Sequence, residues 1–286
     1  MRKIKVRAGI APKPQNVYNK GDCGDLQNLA DAPRHRKGKV FMPRFFTTAV
    51  QWDETAQTGA AVLDGEDGRH IARALRMRPG EAVTLCDGAG FDFDGTIESI
   101  AGDTVSVRIL QKKKTVSEPT LHVTLYPGMP KADKLELVVQ KATELGVAAI
   151  CPTMTARCVS RPDAKAAQKK QERLGRIALE AAKQSGRGAV PRVLPLTDFR
   201  DAVCSAKGAK ILFYEGGGAP LSTCVPAGET EVSIFIGPEG GFDAEEVAFA
   251  RAHGAVAATL GPRILRTETA PLAALAILMF MTGNME

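Results

Sequence analysis

A regular alternation of short apolar runs and helical patterns, from residue 120 onward, restricts the fold of this chain most strongly. The apolar runs are rich in β-branched and aromatic residues and lie at 122–126, 148–152, 210–214, 232–236 and 256–260. Amphipathic helical patterns separate them, the clearest at 134–145 and 164–185. Strands that alternate with helices predict an α/β domain built on a parallel sheet, which we place at residues 118–286.

Two of these runs are followed by a glycine-bearing loop and then by the start of a helix. The first loop, at 237–242, reads GPEGGF, and Asp243 with Glu246 predicts a capping box for the next helix. The second, at 260–270, reads LGPRILRTETA. Such loops meet at the carboxyl edge of a parallel sheet, where glycine lets a ligand approach the backbone. Together they predict a site for a nucleotide-like ligand, whereas each loop alone could equally be a structural turn or a capped helix start.

Residues 42–117 are predicted to form a smaller, mostly β domain. Strand patterns with turn residues between them occur at 59–63, 83–86, 91–97 and 104–109. Strands at this spacing favour a small barrel. One helical pattern, at 66–77, interrupts them, and the polar stretch 112–119 is expected to be the linker to the α/β domain.

Residues 1–41 are predicted to be a disordered basic extension, because they combine many charged and turn-forming residues with no hydrophobic periodicity. They carry ten basic residues and three Asp, a net charge of +7, so the rest of the chain carries −1 of the total of +6. An RNA surface on the folded part would therefore have to come from local clusters. Scattered cysteines, no metal-ligand spacing and no long apolar stretch predict a cytoplasmic protein without a metal or a membrane span.

The strings FIGPEGGF and LGPRILRTETA resemble the two signature loops of the SPOUT methyltransferases, in particular the RsmE-type 16S ribosomal RNA uridine N3-methyltransferases. MPRFF at 42–46, LVVQKATELGV at 137–147 and EAAKQSGR at 180–187 extend the resemblance, which covers residues 42–284. It implies a SPOUT α/β fold with a C-terminal trefoil knot, preceded by a PUA-like β-barrel domain that binds RNA. It also implies a homodimer with its active site at the subunit interface.

The same resemblance implies that S-adenosyl-L-methionine is the cofactor and that 16S ribosomal RNA, within the small ribosomal subunit, is the substrate. The cofactor contacts it implies are Tyr214, Glu215, Gly237, Pro238, Glu239, Gly240, Gly241, Leu260, Gly261, Ile264 and Leu265. Arg266 is expected to stabilise the deprotonated uracil, and Glu268 or Glu239 to accept its proton. The alternative for Glu268 is a carboxylate that only complements a helix dipole.

Several arginines are candidates for contacts with RNA phosphates. Arg69, Arg73 and Arg76 recur at i, i+4 and i+7, which predicts that they share one helical face. Arg157 and Arg187 complete the predicted RNA contacts, and a further basic run extends from Arg157 along the predicted helix at 164–185. For the three-arginine face, a merely solvated surface is the alternative.

Three other functions remain open at this point. The chain could be a SPOUT methyltransferase for another RNA site, a non-catalytic RNA-binding ribosome-assembly factor, or an enzyme acting on a small nucleotide. The intact glycine loops argue against the second, and the third would not need the N-terminal domain. Ala132 stands where the family usually has glycine, which leaves details of RNA contact open.

Overall fold

The computed structural model describes residues 42–285, and these fall within one compact unit. The predicted disordered extension, 1–41, lies outside the described residues. Within the described part, no helix is long and apolar enough to cross a membrane.

The first part of the structure is a six-stranded sheet. In chain order its strands are β1 (Arg44–Phe46), β2 (Gln51–Asp53), β3 (Thr58–Leu63), β4 (Ala82–Cys86), β5 (Phe91–Ala101) and β6 (Thr104–Lys114). Their order across the sheet is β1-β4-β5-β6-β3-β2, with only the β1–β4 pair parallel. Alternating side chains such as Leu85, Ile97 and Val107 are buried in one apolar core. Because β6 continues to Lys114, residues 112–114 belong to this sheet and not to the linker.

One irregular helix follows β3. It begins as α1 (Gly65–Arg69) and continues as a π-helical segment, His70–Ala74. Gly68 lets it lie against the β5–β6 turn, since a Cβ there would be 1.9 Å from the carbonyl oxygen of Asp103. The prediction of an uninterrupted helix at 66–77 is wrong in its second half, because the segment from His70 to Ala74 is π-helical and the helix ends there.

The second part is a seven-stranded, entirely parallel sheet with a small two-stranded sheet beside it. The strands are β7 (His122–Pro127), β8 (Ala149–Ile150), β9 (Thr153–Met154), β10 (Arg192–Val193), β11 (Thr197–Asp198), β12 (Ala209–Phe213), β13 (Ala219–Pro220), β14 (Glu231–Ile236) and β15 (Val256–Thr259). The large sheet has the order β10-β8-β7-β14-β12-β15-β13, and β9 pairs with β11. Apolar cores cover both of its faces, as a parallel sheet requires. The predicted α/β architecture is confirmed.

Five helices pack on this sheet. They are α2 (Lys134–Glu144), α3 (Ala164–Ser185), α4 (Phe199–Ser205), α5 (Ala244–Ala252) and α6 (Ala270–Met281). Asp163 caps α3 through the backbone N–H of Ala166, and Gly186 ends it with φ of 74°. The predicted capping box of Asp243 and Glu246 is present at α5.

A buried ion pair links the end of α3 to the segment between the two sheets. Arg187 lies 2.7 Å from Glu118, and its other donors reach the carbonyl oxygens of Thr143 and Val147 at 3.2 and 2.7 Å. The Arg187 side chain is only 5% exposed, so every part of it is committed to the protein. The prediction that Arg187 contacts RNA is wrong, because this side chain is buried and its guanidinium is bonded to Glu118 and to two backbone carbonyl groups.

Glu118 is held just as completely. It accepts hydrogen bonds from Arg187 and from the backbone N–H groups of Gly188 and Ala189. Burial opposes its ionisation, but Arg187 and these N–H groups outweigh burial and lower the pKa of the Glu118 carboxyl. Gly188 in turn packs against Thr115 so closely that a Cβ would be 1.9 Å from its hydroxyl. We call Thr115, Glu118, Arg187 and Gly188 the junction.

Candidate active site

A cavity of about 620 Å³ lies at the carboxyl ends of three adjacent strands, β14, β12 and β15. Its walls come from the first loop (237–242), from the segment 214–217 that follows β12, and from the second loop (260–270). Pockets of this size commonly hold small molecules and cofactors. The position, at the carboxyl edge of a parallel sheet, agrees with the site predicted from the two loops.

The cavity brings together most of the predicted site residues. All the predicted cofactor contacts line it except Gly240, and Arg266 lines it as well. Glu268 does not: its side chain is 16% exposed, and its Oε2 atom is buried behind Lys134. The structure thus gathers these residues in one place, and their roles stay proposals.

The first loop lies unusually close to the end of β7. A Cβ on Gly128 would be 2.6 Å from Cδ and 2.7 Å from the backbone N of Pro238. The N–H of Gly128 also donates to the carbonyl of Ile236, at 2.7 Å. Sequence reasoning missed Gly128; the available signal was a glycine two residues after the strand predicted at 122–126. It sets the position of one cavity wall.

Arg157 supports the first loop from its other side. Its guanidinium donates to the carbonyl oxygen of Gly240 at 2.7 Å, and a Cβ on Gly240 would come within 3.1 Å of the Cβ of Arg157. The residue is exposed, so a contact with RNA stays a prediction for it.

Thr267 joins the two loops directly. Its hydroxyl donates to the carbonyl oxygen of Gly237 at 2.9 Å. The N-cap of α6 is Thr269, whose side chain makes no capping hydrogen bond. Arg266 is exposed and makes no ion pair with any residue in the described range. Its charge is therefore available to a ligand in the cavity.

Lys134, the first residue of α2, also lines the cavity and meets two carboxylates. Its Nζ is 2.9 Å from Oε1 of Glu239 and 3.4 Å from Oε2 of Glu268. The hydrogen bond to Glu239 raises the pKa of Lys134. Burial opposes ionisation of Glu239, but Lys134 and the backbone N–H of Lys131 outweigh it and lower the pKa of Glu239. Sequence reasoning missed Lys134.

The predicted arginine face is only partly present. Arg69 and Arg73 both reach Asp103, at 3.5 and 2.7 Å, and both side chains are more than half exposed. Arg76 lies beyond the π-helical segment with φ of 52°, so the prediction that all three share one helical face is wrong. Among residues 42–285 no group of three or more His, Cys, Asp or Glu could hold a metal ion.

Two family models match the chain. One, an RNA methyltransferase domain, matches residues 117–279, which is more than half of the chain. The other, an RNA methyltransferase PUA domain, matches residues 63–110. With the cavity at the edge of the parallel sheet, these matches define the class of protein: it is an RNA methyltransferase.

Individual relatives narrow the class. Ribosomal RNA small subunit methyltransferase E of Bacillus subtilis (strain 168) is 36% identical over 256 residues, which cover 84% of this chain and 97% of that protein. The protein of the same name from Mycobacterium tuberculosis (strain CDC 1551 / Oshkosh) is 33% identical over 239 residues, 81% of this chain and 91% of that protein. The chain belongs to the ribosomal RNA small subunit methyltransferase E family.

A solved structure agrees with this membership. The ribosomal RNA small subunit methyltransferase E from Neisseria gonorrhoeae, bound to S-adenosyl methionine, matches with a TM-score of 0.73 and 33% identity. The match covers 84% of this chain and 98% of that one. The combination of a SPOUT-type α/β domain with a PUA-like domain, expected from the sequence, is confirmed.

Proposed function

We propose that this protein transfers a methyl group from S-adenosylmethionine to N3 of a specific uridine in 16S ribosomal RNA. The observation that carries the proposal is the cavity where three strand ends meet, with Arg266 exposed beside two glycine loops. Membership of the ribosomal RNA small subunit methyltransferase E family supports the substrate. The B. subtilis and M. tuberculosis relatives are named as methyltransferases of the small-subunit ribosomal RNA.

The residues that line the cavity suit S-adenosylmethionine. Ile236, Leu260 and Leu265 offer apolar surface to a flat adenine. The Glu215 carboxylate lies over Gly241, where a Cβ would be 2.5 Å from its oxygens, and can accept hydrogen bonds from ribose hydroxyls. When bound, S-adenosylmethionine supplies a methyl group activated by its sulfonium.

The protein's own residues would position the base and stabilise the negative charge that develops on it. Uridine N3 carries a proton that must leave, so negative charge develops on N3 and the flanking carbonyl oxygens. We assign Arg266 to stabilise that charge, an effect worth roughly 10²–10³-fold in comparable sites.

Glu268 is the better of the two predicted proton acceptors. Glu239 already accepts from Lys134 and from the N–H of Lys131, and these bonds favour its ionised form. Oε2 of Glu268 accepts no hydrogen bond from the described residues. We assign the Glu268 carboxylate to receive the proton, through a water molecule that reaches it from the cavity.

The RNA is proposed to run from the six-stranded sheet to the cavity. Arg69 and Arg73 are exposed, and their shared partner Asp103 neutralises only one of their two charges. Arg76 and Arg157 are exposed too. These four cations are the proposed phosphate contacts.

We further propose a homodimer, a trefoil knot in the α/β domain, and action on the small ribosomal subunit in the cytoplasm. The face of α6 supports the dimer: Ile277, Phe280 and Met281 are 41%, 65% and 40% exposed. Exposed apolar residues in a cluster mark contact surfaces. Since α6 begins at the second loop, this contact surface and the cavity wall are parts of one continuous segment.

The test is to incubate the full-length protein with labelled S-adenosylmethionine and small subunits from cells lacking this modification, then to map the methylated nucleoside by mass spectrometry. A single N3-methyluridine in 16S RNA is expected. Methylation elsewhere would point to another RNA site. RNA binding without transfer would favour an assembly factor, and turnover of free nucleotides alone would favour a small-molecule enzyme.

A further inference from the structure

Three charged side chains from three separate segments meet at one side of the cavity. Lys134 comes from the start of α2, Glu239 from the first loop and Glu268 from the second loop. Of the three, Lys134 and Glu239 line the cavity and Glu268 lies behind them. Lys134 is thus the point at which the two cavity loops and α2 are held together by charge.

The local structure of α2 does not favour a cation at this place. The first turn of a helix carries a partial positive charge, which repels a lysine there. The turn before it holds Ala132 at φ of 53°, a left-handed region that is unfavourable for a residue other than glycine. Both costs are local, so contacts outside the helix must offset them. Glu239 and Glu268 are those contacts.

The two carboxylates hold the ammonium but leave part of it unused. An ammonium has three N–H donors. Glu239 takes one at 2.9 Å, and Glu268 attracts the charge from 3.4 Å, in a geometry that makes no hydrogen bond to its Oε2. The Lys134 side chain is still 32% exposed and borders the cavity. At least one N–H donor can therefore point toward a bound base.

We propose that Lys134 is a second catalytic cation, which donates a hydrogen bond to a uracil carbonyl oxygen and stabilises the N3 anion together with Arg266. The inference rests on the proposed function. In the step, the N3–H proton passes through water to Glu268, and a bond forms between N3 and the methyl carbon. The bond between that carbon and sulfur breaks, and its electron pair stays on sulfur, which becomes a neutral thioether.

The arrangement also explains why two carboxylates surround one lysine. A cation that stabilises an anion must stay protonated and must not swing away when the substrate enters. Glu239 fixes its position, and the hydrogen bond to Glu239 raises the pKa of Lys134, which favours the charged form. A donor held in place before the reaction needs no reorganisation when charge develops, which is the condition for effective electrostatic catalysis.

The test uses the full-length protein with small subunits and measures kcat against pH and the Kd for S-adenosylmethionine. Lys134→Met is expected to lower kcat about 100-fold with cofactor Kd little changed. It should also move the rising limb of kcat to higher pH, because the uracil anion has lost a stabilising charge. Lys134→Arg keeps the charge and should recover most of the rate and the original limb.

Lys131→Met is the matched control, since it removes a lysine of the same turn whose side chain makes no hydrogen bond or ion pair with the described residues. It should behave as wild type. A Lys134→Met protein with an unshifted pH profile would overturn the inference, as would a Lys134→Arg protein that binds cofactor but stays inactive. If the wild type itself makes no N3-methyluridine, the proposed function fails first.

Discussion

The junction and the cavity both depend on charged side chains beside glycines, yet they treat those charges in opposite ways. At the junction, Arg187 is buried and Glu118 is largely buried, and the two side chains bond to each other and to backbone groups around them. At the cavity, Arg266 is exposed without an ion pair in the described range, and Glu268 has a buried oxygen without a hydrogen bond. A satisfied polar network fixes one geometry, whereas unsatisfied groups retain capacity for a ligand. The comparison distinguishes an arginine that stabilises the fold, Arg187, from one that is free to contact a ligand, Arg266.

The largest effect should come from breaking the junction. Arg187→Met leaves the Glu118 carboxylate buried without its cation and should lower the free energy of unfolding by about 3–5 kcal/mol. Urea denaturation at neutral pH measures it. Arg108→Met is the control, because its ion pair with Glu98 is about half exposed and should contribute less than about 1 kcal/mol. Equal losses of unfolding free energy in the two variants would show that the junction ion pair contributes no more stability than an exposed one.

Arg266→Ala tests the other side of the comparison. The variant should lose roughly 10²–10³-fold in kcat, or about 2.7–4 kcal/mol of transition-state stabilisation. Its unfolding free energy and its Kd for S-adenosylmethionine should stay near those of wild type, because the side chain is exposed and unpaired. Methyl-transfer kinetics measure kcat, and calorimetric titration measures the Kd for S-adenosylmethionine. Full activity would exclude the role assigned to Arg266.

A smaller effect is expected from moving a cavity wall without changing any charge. Gly128→Ala places a Cβ against the backbone of Pro238, so the first loop must shift. A displacement of about 1 Å in a site can cost up to ~100-fold, and we expect at least a several-fold rise in the Kd for S-adenosylmethionine. Gly175→Ala in α3 is the control, since a Cβ there meets nothing within 4 Å. Unchanged affinity in Gly128→Ala would show that the loop is not held there.

The smallest effect concerns the turn that presents Lys134. Ala132→Gly relieves the left-handed backbone, worth about 1–2 kcal/mol, and adds about 0.4–1 kcal/mol of unfolded-state entropy. The net result should be a stabilisation of about 0–1.6 kcal/mol, measured by thermal unfolding. Ala167→Gly inside α3 should instead destabilise by about 0.5–1 kcal/mol. If both substitutions destabilised the protein, the backbone of the turn at Ala132 would not be strained.

Features encoded by neighbouring residues could be predicted from the sequence. Helix α3 begins and ends where predicted, because Asp163 and Gly186 act within one turn of its ends. The capping box of α5 depends on two residues three apart. The two glycine loops were likewise visible as continuous strings, and their strands were predicted to within one residue.

Features made by distant residues could not be predicted in this way. Arg187 is buried by carbonyl groups some 40 residues earlier in the chain and by Glu118, 69 residues earlier. Lys134 and Glu239 meet across 105 residues. The π-helical segment after Arg69 changes the angular spacing of side chains, which a pattern based on 3.6 residues per turn does not anticipate. Sequence spacing therefore located the cavity but not the contacts that hold its parts in place.

The strand order at the cavity has a consequence for how the protein is made. β12, the middle of the three cavity strands, comes first in the chain, and β14 and β15 are added later on either side of it. β7 must wait for its partner β14 for about a hundred residues of further synthesis. Chains emerge from the ribosome with the N-terminus first, and distant pairings form slowly. The six-stranded sheet, complete at Lys114, can therefore fold while the cavity is still unbuilt. During synthesis, Arg69, Arg73 and Arg76 can therefore be in place on a folded sheet before the strands that form the cavity have been made.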